Sequence, residues 1–163
     1  MTMRLPEILA GLNAATIRYV VVGGLAANVH GSPRITADVD ICYEPTPENR
    51  ERLAGVLAGW NAYLRGVEPE LPFWMDARTL RDCPVLTLTT SFGDLDVMDR
   101  VAGVGEYSAV EAASVPASLT GVPVRVLALD ALIASKKAAG RRKDLEALLE
   151  LEALREERRR RGI

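Results

Sequence analysis

The stretch VVVGGLAANVHGSPRITADVDI, residues 20–41, carries the most informative pattern in this chain. A β-branched run predicts a buried strand, and a glycine pair, a short helix and a second strand with Asp38 and Asp40 follow it. Side chains alternate along an extended backbone, so both carboxylates project from one face of that strand. Two such close like charges repel, which predicts a cation between them.

Composition limits the class of protein. The chain has 163 residues, of which 48% are hydrophobic and 26% are charged, as is usual for a globular protein. We therefore expect one domain over residues 1–163, with a catalytic core at about 17–100 and helices at about 128–160. No apolar run approaches the roughly 18 residues of a membrane span, and the N-terminus does not resemble a signal peptide, so we expect a cytoplasmic protein with no membrane partner.

The remaining pattern alternates helices with short strands. We expect helices over 6–15, 25–29, 47–60, 130–139 and 142–158, with Thr46 as an N-cap and Gly140 between the last two. Strands are expected over 19–22 and 37–42, and as two hairpins, 85–90 with 94–98 and 114–119 with 122–127. Residues 61–82 are expected to be rich in loops.

A third acid is expected beside the first two. Asp96 follows the turn of the first hairpin, and its neighbours Leu95 and Val97 alternate with it, so it should project away from the core. Asp94 has the same parity, and we favour Asp96 because it is farther from the turn. Three carboxylates suit Mg²⁺, or Mn²⁺ in its place. Two ions about 3.5 to 4 Å apart would activate a hydroxyl and stabilise a leaving pyrophosphate.

These residues resemble the nucleotidyltransferase superfamily with the polymerase-beta-like fold, whose signature is a strand, Gly-Gly or Gly-Ser, a short helix and Asp-x-Asp. The run Gly-Ser-Pro-Arg-x-Thr-x-Asp-x-Asp, residues 31–40, is similar to the minimal, AbiEii-type branch associated with toxin–antitoxin systems. Residues 132–145 also resemble the Lys-x-x-x-Gly-Arg-x-Lys-Asp segment of that branch. The resemblance implies an α/β (α+β) fold, with a mixed or antiparallel sheet flanked by helices and a C-terminal helical pair. It also implies that Asp38, Asp40 and Asp96 are both catalytic residues and metal ligands, with Asp96 as the base for the attacking hydroxyl.

The resemblance also implies a nucleotide-binding set. Gly23 and Gly24 lack a Cβ, so backbone amides there could approach a phosphate, although a glycine pair also suits a tight turn. Ser32 and Arg34 precede the acids, and Arg34 could contact triphosphate oxygens or serve as a structural partner of the acidic cluster.

Several residues near the C-terminus, and the single histidine, also have expected roles. Lys136 and Lys137 could neutralise a triphosphate or remain solvated on their helix, and we assign the nucleotide role to the pair. Asp144 is expected to anchor two helices. His30 is expected to cap the backbone carbonyls at the end of the short helix 25–29, and Arg158–Arg161 to form a solvated helix end.

The resemblance implies an enzyme that moves a nucleoside monophosphate from a nucleoside triphosphate to an RNA, such as tRNA, or to a protein. A cognate toxin or antitoxin chain would be its partner. Two alternatives remain: a dinucleotide-binding fold, which the position of the third glycine disfavours, and a module that has the fold but acts only through protein contacts. We disfavour the second because clustered carboxylates without a cation cost stability.

Overall fold

The computed structural model describes residues 2–163, which form seven α-helices, one 3₁₀ turn and nine strands. The helices are α1 (Leu5–Ala14), α2 (Gly23–Val29), α3 (Pro47–Gly59), α4 (Ala77–Asp82), α5 (Tyr107–Ala112), α6 (Leu129–Ala139) and α7 (Leu145–Arg161), with a 3₁₀ turn at Arg142–Asp144. The strands are β1 (Tyr19–Val22), β2 (Asp38–Tyr43), β3 (Tyr63–Leu64), β4 (Val85–Thr90), β5 (Gly93–Met98), β6 (Arg100–Val101), β7 (Gly105–Glu106), β8 (Ser114–Leu119) and β9 (Val122–Leu127).

Seven strands form one mixed sheet in the order β3-β4-β5-β2-β1-β9-β8. The pairs β2/β5 and β1/β9 are parallel, and the other neighbours are antiparallel. Strands β6 and β7 form a separate two-stranded sheet. The predicted α/β (α+β) class, with a mixed sheet flanked by helices and a helical pair at the C-terminus, is therefore confirmed.

The core follows from the alternation of side chains along the central strands. Val39 and Ile41 of β2 are fully buried, as is Leu95 of β5, and they join a cluster with the apolar faces of α1 and α3. The residues between them in sequence are the aspartates, which consequently face the opposite side of the sheet. Burial of the apolar face thus holds the acidic face in place.

Most predicted elements are present, with three differences. Helix α2 begins at Gly23, so the glycine pair forms its first residues and not a separate turn before it. The stretch 61–82, expected to be mainly loop, contains β3 and also α4, which Asp76 caps by accepting a hydrogen bond from the Thr79 N–H at 2.8 Å. Strand β3 has two residues, too few for a periodic pattern to be visible in the sequence.

Short elements after β5 are the third difference, since β6, β7 and α5 were not predicted.

The predicted N-cap of α3 is confirmed, because Thr46 Oγ1 accepts a hydrogen bond from the Asn49 N–H at 3.4 Å. Among residues 2–163, no helix has the length and apolar character that crossing a membrane requires.

Candidate metal and nucleotide site

Parallel pairing of β2 with β5 brings the acids together. The register places Asp40 beside Asp96 and Asp38 beside Asp94, so all four carboxylates belong to one face of the sheet. The pairing is specified by burial, since a slip by one residue would move Val39 out of the core and an aspartate into it. The acidic face is thus a consequence of the apolar one.

Three of these carboxylates fit a divalent metal ion. Asp38, Asp40 and Asp96, hereafter the carboxylate triad, each offer an oxygen atom, and these atoms lie within 4.8 Å of one another. An all-oxygen set of this kind suits a hard cation such as Mg²⁺ or Mn²⁺. Asp94, the other sequence candidate for the third acid, lies outside this group with its side chain 37% exposed.

The electrostatics of the triad indicate a lack of positive charge. Burial raises the pKa of Asp40 to about 7, with further contributions from the negative charges of Asp38 and Asp96, while Lys136 opposes the shift. Burial also raises the pKa of Asp96, although Arg65 acts in the opposite direction. A bound divalent cation would relieve this repulsion.

The glycine pair makes room for the site. Gly23 has a φ of +66°, and a Cβ at this position would overlap the carboxylate of Asp40. A Cβ on Gly24 would lie 3.0 Å from both Cβ and Oγ1 of Thr36. Close packing against residues of the site is therefore a second reason for glycine here, beside the approach of a phosphate expected from the sequence.

Arg65 is the site residue that sequence analysis missed. It follows β3, and its Nη2 donates hydrogen bonds to Asp96 Oδ1 at 2.7 Å and to the Leu88 carbonyl at 2.7 Å. Its Nε lies 3.3 Å from Asp94 Oδ2, and its Nη1 lies 3.8 Å from Asp38 Oδ2. No local pattern marks this arginine, because its role depends on the pairing of β3 with β4, whose partner residues are about 25 positions apart in the chain.

A cleft of about 600 Å³ lies over the triad and has two walls. The triad and Arg65 form the wall on the sheet, here called the sheet wall. The other, here called the helix wall, contains Lys136, Arg141, Lys143 and Asp144 from α6 and the segment that leads into α7. The predicted residues Gly24, Ser32 and Arg34 line the cleft as well.

The two candidate lysines point to different places. Lys136 lines the cleft, and its Nζ lies 3.2 Å from Asp144 Oδ1. Lys137 pairs with Glu152 of α7 at 3.2 Å and is not among the residues that line the cleft. The structure thus separates a pair that the sequence could not.

Asp144 organises the helix wall. It is 7% exposed, and its carboxylate accepts hydrogen bonds from Lys136 at 3.2 Å and from Arg141 Nε at 2.6 Å. Burial alone would raise the pKa of Asp144, but these two hydrogen bonds outweigh it and hold the pKa below its ordinary value. The expected role of Asp144 as an anchor between the helices is confirmed.

Arg34 has carboxylate partners outside the triad. Its Nε and Nη2 contact the two oxygens of Glu150 on α7 at 2.9 and 3.1 Å, and Nη2 also lies 3.4 Å from Glu146. Its own N–H donates to Ser32 Oγ at 3.4 Å. Arg34 therefore ties the loop before β2 to α7 at the edge of the cleft, where Ser32 is buried beneath it.

His30 connects three elements. Its Nε2 is 2.9 Å from the Leu127 carbonyl, and Arg158 donates to its Nδ1 at 3.2 Å. Burial lowers the pKa of His30, with a further contribution from Arg158. The prediction that the His30 side chain caps carbonyls at the end of α2 is wrong, because α2 packs against β9 and the carbonyl that the ring contacts is that of Leu127. Arg158 is packed here, whereas Arg161 pairs with Glu157 at 2.8 Å, as expected for a solvated helix end.

No protein-family profile matches this sequence, and no curated protein resembles it significantly. Solved structures do resemble it. ANT(2'')-Ia, an antibiotic-resistance factor, superposes in its solution structure with a TM-score of 0.58 at 17% identity, covering 97% of this chain and 90% of that one. Its crystal structure in complex with adenylyl-2''-tobramycin gives 0.57 at 18% identity, covering 98% and 97%. TM1012 of Thermotoga maritima, described as a candidate nucleotidyltransferase, gives 0.55 at 16% identity, covering 91% and 94%. This chain therefore has the fold of nucleotidyltransferases.

Proposed function

We propose that this chain is a metal-dependent nucleotidyltransferase, which moves a nucleoside monophosphate from a nucleoside triphosphate to an acceptor and releases pyrophosphate. The observation that carries this proposal is the cleft itself. Within the fold of nucleotidyltransferases, it brings the carboxylate triad and the cationic groups of Lys136, Arg141 and Lys143 into the lining of one cavity. The sheet wall suits a metal ion, and the helix wall suits the phosphates that would coordinate that ion.

The reaction has a simple balance of bonds. An acceptor oxygen forms a bond to the α-phosphorus, the bond from that phosphorus to the bridging oxygen of the β-phosphate breaks, and pyrophosphate leaves with the electron pair. The carboxylate of Asp96 takes the proton of the acceptor hydroxyl. Metal ions held by the triad would supply charge that stabilises the attacking and leaving oxygens.

The nucleotide is held chiefly by the helix wall. Lys136 and Arg141 are kept in place by Asp144, so their charges are oriented before a ligand arrives. Lys143 is exposed, beside them in the cleft lining, and adds a third cation. Phosphoryl transfer depends mainly on such positioning and charge.

For the acceptor we propose a hydroxyl of an RNA, such as tRNA, or of a protein, in a toxin–antitoxin system with a cognate partner chain. The support is the segment 136–144, which resembles that branch in sequence and contributes four residues to the lining of the cleft that Asp38 and Asp40 also line. A second candidate is a small polyhydroxylated acceptor. It is favoured by the likeness to ANT(2'')-Ia, the protein solved with adenylyl-2''-tobramycin, over nearly all of both chains.

Calorimetric titration of the purified protein with each nucleoside triphosphate tests the site, with and without Mg²⁺. We expect binding that requires the metal and disappears in the double variant Asp38→Ala, Asp40→Ala. The control variant Glu156→Ala, Glu157→Ala also removes two carboxylates but lies outside the cleft lining, and it should bind normally. Absence of binding under every condition would favour a module that acts only through protein contacts.

Transfer is then measured with triphosphates labelled at the α-phosphate, offered with tRNA, with candidate partner proteins or with an aminoglycoside. Label on one acceptor class identifies the substrate. The double variant should lower the rate by about 1,000-fold or more, because the metal contributes several kcal/mol of transition-state stabilisation. A rate equal to that of the unmodified protein would contradict the mechanism.

A further inference from the structure

Arg65 is placed by the sheet and not by a flexible loop alone. Its backbone N–H donates to the Thr87 carbonyl at 3.0 Å, which continues the pairing of β3 with β4. Thr87 pairs with Asp96, and Asp96 pairs with Asp40, so the four residues form one row across adjacent strands. The guanidinium reaches Asp96 from the neighbouring edge of this row and lines the same cleft as the helix wall.

The contacts of this guanidinium are shared among several acids. One nitrogen–oxygen contact goes to each of Asp96, Asp94 and Asp38, at 2.7, 3.3 and 3.8 Å. None is the paired, two-bond contact that makes an arginine–carboxylate interaction strong. The buried Nε has no hydrogen-bond partner of good geometry, since its approach to Asp94 is an ion pair only. Arg65 thus neutralises the acids with a single hydrogen bond, to Asp96, and only ion-pair contacts to Asp94 and Asp38.

We propose that Arg65 is the resting cation of the carboxylate triad, and that a divalent metal ion binds by displacing its guanidinium from Asp96. This inference rests on the metal site of the proposed function. The guanidinium then remains bound to Asp94 and to the Leu88 carbonyl, the two partners that lie outside the triad. Asp94, the acid excluded from the triad, therefore has a role of its own, which is to receive the displaced arginine.

The exchange follows from charge. A guanidinium and a divalent ion that share Asp96 would repel each other strongly at such short separation. Without a metal, the arginine lowers the cost of holding three carboxylates together. When a metal ion is present, the same arginine competes with it. The measured metal affinity therefore reflects the difference between the free energies with which the triad binds the metal ion and the guanidinium.

Binding of Mn²⁺ to the metal-free protein tests this exchange, measured through the electron paramagnetic resonance signal of free Mn²⁺. We expect Arg65→Gln to bind Mn²⁺ about tenfold more tightly than the unmodified protein, because the competing charge is gone. Arg65→Lys retains the charge but loses the planar fork, so a smaller gain is expected. Arg100→Gln removes an arginine paired with Asp99 outside the cleft and serves as the matched control, with unchanged affinity.

The variant Asp94→Asn distinguishes displacement of Arg65 onto Asp94 from a general effect of charge on metal affinity. It should weaken Mn²⁺ binding about fivefold while Arg65 is present, and by less than about twofold in the Arg65→Gln background, because only a displaced arginine needs Asp94. Circular dichroism at saturating Mn²⁺ establishes whether each variant is folded. If Arg65→Gln does not fold, the Mn²⁺ affinity of Arg65→Lys is compared with that of the unmodified protein instead.

The outcomes distinguish the two proposals. Mn²⁺ affinity of Arg65→Gln equal to or weaker than that of the unmodified protein would overturn the role of Arg65. An equal effect of Asp94→Asn in both backgrounds would overturn the role of Asp94 as its receiver. Failure of the unmodified protein to bind Mn²⁺ would instead contradict the proposed metal site.

Discussion

The two walls of the cleft have opposite charge, and each contains one residue of the other sign. The sheet wall has the carboxylate triad and Arg65, whereas the helix wall has Lys136, Arg141 and Lys143 with Asp144. Asp144 is 7% exposed and holds its two cations through hydrogen bonds of 3.2 and 2.6 Å. The side chain of Arg65 is 30% exposed and divides its contacts among three acids.

This difference shows which wall is complete without a ligand. On the helix wall, a single buried carboxylate satisfies the cations nearest to it, so the wall is organised in advance. On the sheet wall, the pKa of Asp40 is raised to about 7, chiefly by burial, which means that the negative charge there is only partly compensated. We infer that the sheet wall is the half of the site that changes when ligands bind.

The largest effect is expected from disturbing the sheet wall through its backbone. Gly23→Ala would place a methyl group against the carboxylate of Asp40 and also strain a residue with a φ of +66°. Moving a catalytic group by about 1 Å can lower the rate about 100-fold, and we expect kcat to fall by about that factor because the Asp40 carboxylate must move. Nucleotidyl transfer at saturating triphosphate is the measurement.

Gly121→Ala is the matched control for backbone strain. Gly121 has a φ of +80°, in the turn between β8 and β9, and a Cβ there would meet no atom within 4 Å. It should lose about 1–2 kcal/mol of stability through strain alone, with kcat unchanged. Similar kcat values for the two variants would show that the contact of Gly23 with Asp40 has no role in catalysis.

A smaller effect is expected on the helix wall. Asp144→Asn removes the charge that orients Lys136 and Arg141, so the KM for triphosphate should rise about tenfold while kcat changes little. The free energy of unfolding should fall by about 1–2 kcal/mol, because charge-assisted hydrogen bonds are weakened. Steady-state kinetics and urea unfolding measure these two quantities.

Glu152→Gln is the control for Asp144→Asn, since it breaks the ion pair between Glu152 and Lys137, which lies outside the cleft lining. The KM of this variant should equal that of the unmodified protein. If both variants raised KM equally, the two lysines would have no separate roles, and the division between Lys136 and Lys137 would be contradicted.

The smallest effect concerns stability in the absence of metal. Because the pKa of Asp40 lies near 7 in the folded chain and about 4 in an unfolded one, the folded state binds more protons between these values. Stability of the metal-free protein should therefore fall as the pH rises from about 4 to 7. Asp40→Asn removes this loss and should raise Tm at pH 8 by about 3–5 °C in the presence of EDTA.

Melting curves at pH 5 and pH 8 test that expectation, with the exposed Asp130→Asn as the control. The benefit of Asp40→Asn should be larger at pH 8 than at pH 5. A stabilisation independent of pH would show that charge repulsion in the triad is not its source.

Much of the site was predictable because its signals are local. The bounds of β8 and β9 agree with the predicted strands, and the parity of Asp38, Asp40 and Asp96 placed them on one face. Arg65 was not predictable, because the strand before it has two residues and its partners lie on other strands. The carboxylates that bind Arg34 belong to α7, more than a hundred residues away, so no spacing in the sequence could identify them.

The sequence by itself determined which residues share a face, because backbone periodicity is a local property that side-chain burial enforces. It thereby established the acidic strand, the core behind it and the nucleotidyltransferase-like order of elements. Only the tertiary structure decided which residues meet across that face. Pairing of β2 with β5 brings Asp96 to Asp40, and the approach of α6 places Lys136 and not Lys137 in the cleft lining. Pairing of β3 with β4 brings Arg65 to the triad. These choices depend on contacts between distant segments, whose geometry follows from packing of the whole chain.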